Sequence, residues 1–291
     1  MINQIQKASL QAHRLLNTVV GRSCHVFNTD DARQAAIQLG LSEPYMRQLL
    51  HVLVVTGWLF KIKRGLYGST GRLPGYSFAD DYAIATKLVE PSAICRVTTL
   101  SYHQMTTQLP FRGVQCITPK KVVTPGMRDG QKPEGLDHHA WIINGLRYEY
   151  YHVKPEHFFG IGRFYVAGNL WVPMTDPERT ILDVFVAPSW VGTFGSMYEI
   201  LRDNLRQQMF DVQKLVQYAI RYNEGSLNKR LGWCLDELGV AEEVLRPLLN
   251  FKVSGYRILD PDRVGHGSCD KKWMILNNLQ APYEERLQKT S

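Results

Sequence analysis

The stretch NTDDARQAAIQLGLSEPYMRQLLHVLVVTGWLFKIKRGLYG, Asn28 to Gly68, decides the fold of the first part of the chain. Ala32, Ala35, Ala36 and Leu39 recur at helical spacing, which predicts a short helix over Asp31 to Leu39, capped by Thr29 or Asp30 and stopped at Gly40. Three residues of turn lead to a second helix, with Ser42 at its cap. Pro44 sits in its first turn, where a missing N–H costs nothing, and Gly57 follows as a left-handed cap. In that helix Met46, Leu49, Leu50, Leu53 and Val54 form one apolar stripe, so Tyr45, Arg47, Gln48 and His51 face outward as a polar, acid-free surface. Trp58 to Gly68 then reads as two strands around a basic tip formed by Lys61, Lys63 and Arg64. Two helices followed by a basic hairpin is the pattern of a winged helix-turn-helix.

A helix of this width fits the major groove of B-DNA, and a basic tip beside it reaches flanking phosphates. The expected DNA-contacting set is therefore Ser42, Tyr45, Arg47, Gln48 and His51 on the helix and Lys61, Lys63 and Arg64 on the hairpin. Arg47 and Gln48 are the candidates for base edges, because each side chain bonds two base atoms at once. Tyr45 is the candidate for the sugar–phosphate wall, and Glu43 is read as a partner of the helix dipole. A protein-docking role is the alternative for such a module.

Charge placement agrees with this reading. Of 34 Lys/Arg and 27 Asp/Glu in the 291 residues, residues 1–79 hold nine and three, a balance of +6, and residues 80–291 hold 25 and 24, a balance of +1. A basic module joined to a near-neutral one suits a nucleic-acid-binding domain with a companion. The five cysteines, Cys24, Cys95, Cys116, Cys234 and Cys269, are odd in number and form no Cys-x-x-Cys pair, which fits a reduced cytoplasmic setting. His138 and His139 are adjacent, and on a strand they face opposite sides, so no metal site is expected and no cofactor motif is present. The N-terminus lacks a signal-peptide apolar region, and no run approaches the roughly 20 apolar residues of a membrane span.

Working outward, Ile5 to Val20 is expected to be the first helix of the module, Val26-Phe27 a short strand, and Ser69 to Ser77 a linker, with a domain boundary near residue 79. The predicted architecture is α+β: residues 1–79 as the winged helix-turn-helix, residues 80–291 as a larger domain of antiparallel hairpins and helices. In the second part Asp80 to Val89 and Val97 to Gln104 read as helices and Gly113 to Thr118 as a strand. Lys120 to Lys132 reads as a loop whose Lys120, Lys121 and Arg128 make a second basic patch. Period-two stretches at Trp141–Val153, turning at Asn144-Gly145, and at Arg163–Val172, turning at Gly168-Asn169, are hairpins. Asp176 caps a helix with Pro177 at its first position. Further helices fit Ser196–Arg206, Asp211–Tyr222, Ser226–Leu238 and Ala241–Leu249, and short strands fit Tyr256–Pro261 and Lys272–Leu276.

This order, with Thr98-Thr99-Leu100-Ser101-Tyr102-His103, Gln108-Leu109-Pro110, Asp176-Pro177-Glu178-Arg179-Thr180-Ile181-Leu182-Asp183, Asn228-Lys229-Arg230-Leu231-Gly232-Trp233, Leu259-Asp260-Pro261 and Trp273-Met274-Ile275-Leu276-Asn277, resembles the AbiE-type antitoxin and transcriptional-regulator family of type IV toxin–antitoxin systems. The resemblance spans nearly the whole chain. It implies an N-terminal domain that binds double-stranded DNA and represses its own promoter at inverted repeats, and a C-terminal domain that counters a co-encoded nucleotidyltransferase-like toxin. A direct complex with the toxin is not part of that implication, and some relatives are solitary regulators.

An enzyme is the rival from another class. Asp137, Glu149 and Lys154 loosely suggest a metal-dependent nuclease, but Glu149 and Lys154 fall on opposite strand faces by the period-two rule. Asp176, Glu178, Arg179 and Asp183 are read as a capped helix with a surface or inter-helix ion pair. Lys229 and Arg230 are read as a solvated face, available to join the second basic patch.

Overall fold

The computed structural model describes residues 2–23, 25–71, 78–107, 113–124, 140–166 and 170–280. The chain is an α+β protein. It forms two compact units: Met1–Ile94 with Arg112–Val153 and Arg163–Pro173, and Cys95–Phe111 with Lys154–Gly162 and Met174–Ser291.

In the first unit three helices, α1 (Ile2–Ser23), α2 (Thr29–Gln38) and α3 (Glu43–Val55), alternate with three short strands, β1 (Val26–Asn28), β2 (Leu59–Lys63) and β3 (Leu66–Ser69). The strands form an antiparallel sheet in the order β1-β3-β2. Leu15, Leu16 and Val19 of α1, Ala32, Ala35 and Ala36 of α2, and Met46, Leu49, Leu50 and Leu53 of α3 close one core with Phe27 and Leu59. Each leucine so buried stabilises by about 1.5–3 kcal/mol, and together these residues hold the outward face of α3 away from the interior.

The cap of α2 lies earlier than expected. Asn28 accepts from the N–H groups of Asp30 and Asp31, and Asp31 accepts from Asn28 N–H in return, a reciprocal capping box. Thr29 and Asp30 therefore lie inside the helix, because Asn28 is already extended and reaches two N–H groups. Ser42 holds the cap position of α3, but its side chain makes no capping bond. Gly40 and Gly57 have φ of +67° and +74°, as their places after the two helices require.

The linker expected over Ser69 to Ser77 begins later, since Ser69 is in β3 and Thr70 bridges to Phe78; residues 72–77 lie outside the described residues. Helix α4 (Asp81–Leu88), capped by Asp80, contacts β1 and β2 as well as β4 (Ala93–Ile94) and β5 (Gly113–Thr118). The compact units accordingly do not follow a cut at residue 79, because one helix covers both sheets.

Strands β6 (Ala140–Ile143), β7 (Leu146–His152), β8 (Ile161–Tyr165) and β9 (Trp171–Thr175) complete a six-stranded sheet in the order β6-β7-β5-β4-β9-β8. Asn144 and Gly145 both have positive φ, as a type I′ turn requires. The Gly168-Asn169 turn lies outside the described residues. The sheet is mixed and not purely antiparallel: β5 runs parallel to β7 from Gly113↔Arg147 to Thr118↔His152. Tyr148 and Tyr150 point toward α4, donating hydroxyl protons to Asp81 and to the Ala85 carbonyl.

The second unit holds α5 (Arg96–Tyr102), α6 (Pro177–Val186), α7 (Phe194–Arg206), α8 (Val212–Tyr222), α9 (Gly225–Glu237), α10 (Glu242–Leu249) and a small sheet of β10 (Arg257–Ile258), β11 (Ser268–Asp270) and β12 (Ile275–Asn277). The sequence reading misses β11 and the parallel β10–β12 pairing. Its core runs through Ile181, Leu182, Phe185, Leu201, Leu215, Leu231, Leu245 and Trp273.

Charged residues in this core correct two expectations. Arg179 and Asp183 form a buried ion pair within α6, 2.8 Å apart with side chains 1% and 4% exposed, and not a surface pair, while the inter-helix pair of the expectation is made by Glu178 with Lys214 of α8 at 2.8 Å. Arg179 also donates to the carbonyls of His157 and Phe159. Lys229 and Arg230 are buried, not a solvated face. Lys229 donates to the Leu248 and Leu249 carbonyls at the end of α10, and Arg230 to those of Leu259 and Ile258. Unpaired carbonyls at a helix end, and at the margin of a short strand, need donors, and these cations supply them.

Candidate nucleic-acid interface

Helix α3 is 13 residues long, roughly 20 Å. Its buried stripe leaves Arg47, Gln48, His51 and Val55 exposed on the opposite side, with Ser42 exposed at its start. Tyr45 is only half-buried on this side: its ring packs against the core of the three helices, so it is less free than the outward reading assumed.

The outward face is not acid-free. Glu43, in the first turn of α3, accepts from Arg47 Nη2 at 2.6 Å, one helical turn on. It also accepts from Arg33 of α2, with Nη2 on Oε1 at 3.3 Å and Nε on Oε2 at 3.4 Å. Arg33 in turn contacts Asp30. The hydrogen bond from Arg47, and then those from Arg33, hold the Glu43 carboxyl below its ordinary pKa; the bonds of Arg33 to Glu43, and then to Asp30, raise that of Arg33. Neither Arg33 nor Glu43 was a candidate contact in the sequence. The three side chains remain accessible, with Arg33 37%, Glu43 41% and Arg47 66% exposed.

The hairpin tip is the two-residue turn Arg64-Gly65, entered through a register shift between Lys61 and Lys63. Gly65 has φ of +77°, and its carbonyl accepts from the N–H and hydroxyl of Thr29, which ties the turn to the start of α2. Lys61 and Arg64 are exposed and enter no ion pair among the described residues. Lys63 differs: its ammonium donates to the Leu88 carbonyl at 2.6 Å, at the end of α4, and burial lowers its pKa while Glu90 opposes that shift. Lys63, although exposed like its neighbours, is thereby a fastener between the hairpin and α4.

Of the second basic patch, Lys120 and Lys121 are both exposed. Lys120 donates to the Glu90 carbonyl, Arg128 lies outside the described residues, and Lys229 and Arg230 are buried in the other unit. At the nuclease-like cluster, Glu149 accepts from Arg147 at 3.0 Å, Gln115 at 3.1 Å and Tyr151 at 2.7 Å. Asp137 lies outside the described residues. Among the described residues no group of three His, Cys, Asp or Glu side chains is arranged to hold a metal ion, and no helix is long and apolar enough to cross a membrane.

No protein-family model matches the chain, and no curated protein matches it. Among solved structures it is similar to the crystal structure of the RV2827C protein from Mycobacterium tuberculosis, with a TM-score of 0.59 and 14% identity over 91% of this chain and 90% of that one. At that identity the likeness concerns the fold alone.

Proposed function

We propose that residues 1–79 form a winged helix-turn-helix that binds double-stranded DNA, with α3 in the major groove and the β2–β3 turn against the flanking phosphates. The observation that carries this is the exposed polar face of α3, Arg47, Gln48 and His51, in the same module as a hairpin whose Lys61 and Arg64 point into solvent. The element order helix, strand, helix, helix, strand, strand and the β1-β3-β2 sheet support the module's assignment.

The AbiE-type resemblance extends the reading. The chain then represses its own promoter at inverted repeats, one module per half-site, and counters a co-encoded nucleotidyltransferase-like toxin from the cytoplasm without itself being an enzyme. Among the described residues Cys95, Cys116, Cys234 and Cys269 form no disulfide, which suits that compartment.

The test is a salt titration of binding to a labelled mixed-sequence duplex, followed by anisotropy. The expected result is a log affinity that falls linearly with log salt, by about 0.9 per phosphate contact. A salt-independent signal, or equal affinity for single strands of the same length, would contradict the reading.

A further inference from the structure

The geometry points to a carboxylate-buttressed arginine: Arg33 and Glu43 hold Arg47 in one direction, so that α3 reads a guanine through its major-groove edge. This inference rests on the DNA-binding reading above and makes it chemically specific.

An arginine guanidinium carries five N–H donors in a planar fork. Arg47 spends one of its Nη2 hydrogens on Glu43 Oε1 at 2.6 Å, and no other bond to this side chain is found among the described residues. Four donors therefore stay open toward solvent, on a side chain whose plane is fixed at one corner. Guanine presents two acceptors, O6 and N7, at the spacing of that fork, and no other base does so in the major groove. Glu43 alone would be a mobile buttress, since exposed pairs one turn apart on a helix are weak. Arg33 changes that, because it grips both oxygens of the same carboxylate from a different helix. Helix α2 thus sets the direction in which a residue of α3 points, and Arg33 and Glu43 are positioning residues that act through Arg47.

A lone solvated ion pair would not be built this way. Its partners would be free to reorient, whereas here a shared carboxylate joins α2 to the first turn of α3, the end of a reading helix that enters the groove. A fixed arginine also loses less side-chain freedom on meeting the base than a free one.

The experiment is selection from a randomised duplex library by the full chain and by Arg33→Lys, Glu43→Gln and Arg47→Ala. Glu43 and Arg47 are exposed and Arg33 is half-buried, and far-UV circular dichroism checks that each variant is folded. The expected wild-type motif contains one guanine preferred over other bases on the order of 10- to 100-fold. Arg47→Ala loses that preference, and Glu43→Gln and Arg33→Lys weaken it while the rest of the motif stays. Replacing that guanine by 7-deazaguanine, which lacks the N7 acceptor, lowers wild-type affinity toward the Arg47→Ala value, and inosine, which keeps O6 and N7, leaves it unchanged. A motif whose guanine preference survives Arg47→Ala, or is indifferent to Glu43→Gln and Arg33→Lys, overturns the buttress but leaves DNA binding standing. No enrichment by the wild-type chain overturns both.

Discussion

Asp183→Ala is expected to lower the stability of the second unit by about 3–5 kcal/mol, read as an earlier midpoint of urea unfolding followed by the fluorescence of Trp233 and Trp273. The magnitude follows from what remains behind. Arg179 is essentially without solvent contact and keeps its bonds to the His157 and Phe159 carbonyls, but among the described residues the carboxylate paired with it is that of Asp183, at 2.8 Å. A buried cation left with neutral acceptors costs far more than the net worth of the pair. Asp183→Asn separates charge from hydrogen bonding, since its amide oxygen still accepts from Arg179 Nε; its cost should fall near 1–3 kcal/mol. Equal costs for the two substitutions would show that packing, and not charge, sets the effect.

The second large effect concerns binding. Lys61→Glu combined with Arg64→Glu should weaken duplex affinity on the order of 100-fold at low salt and reduce the steepness of the salt dependence by about 2, one unit per lost phosphate contact. Lys63→Ala is the informative comparison. Its ammonium is held by the Leu88 carbonyl, so the salt dependence should stay as in the wild type while the packing of the hairpin against α4 loosens. If Lys63→Ala flattens the salt dependence as much as either neighbour, that ammonium leaves its carbonyl when DNA arrives.

The contrast among these three adjacent cations shows where sequence reading reaches and where it stops. The apolar spacing of α3, the Asn144-Gly145 turn, the Asp176 cap and the hairpin around Arg64-Gly65 were legible, because each is decided by a few neighbouring residues and a backbone rule. The fate of Lys63 was not, since Leu88 lies 25 residues away and nothing local marks its carbonyl as an acceptor. Lys229 and Arg230 misled for the same reason: charged residues default to solvent, and the carbonyls that bury them come from 19 to 29 residues downstream. Glu43 was read as a dipole partner because its position in the first turn suffices for that role. Its tie to Arg33, ten residues back on another helix, exists only once α2 and α3 are packed. The parallel pairing of β5 with β7 was hidden likewise, since period-two patterns give a strand's faces but not its neighbour's direction.

Methylation protection tests most directly whether α3 lies in the major groove. Dimethyl sulfate modifies guanine N7 on the floor of that groove, and a duplex carrying the selected motif can be probed with and without the full chain. The expected result is a short protected patch of guanines that opens again when Arg47 and Gln48 are both changed to alanine. Tight binding to the same duplex with every guanine N7 still open to reagent would contradict it.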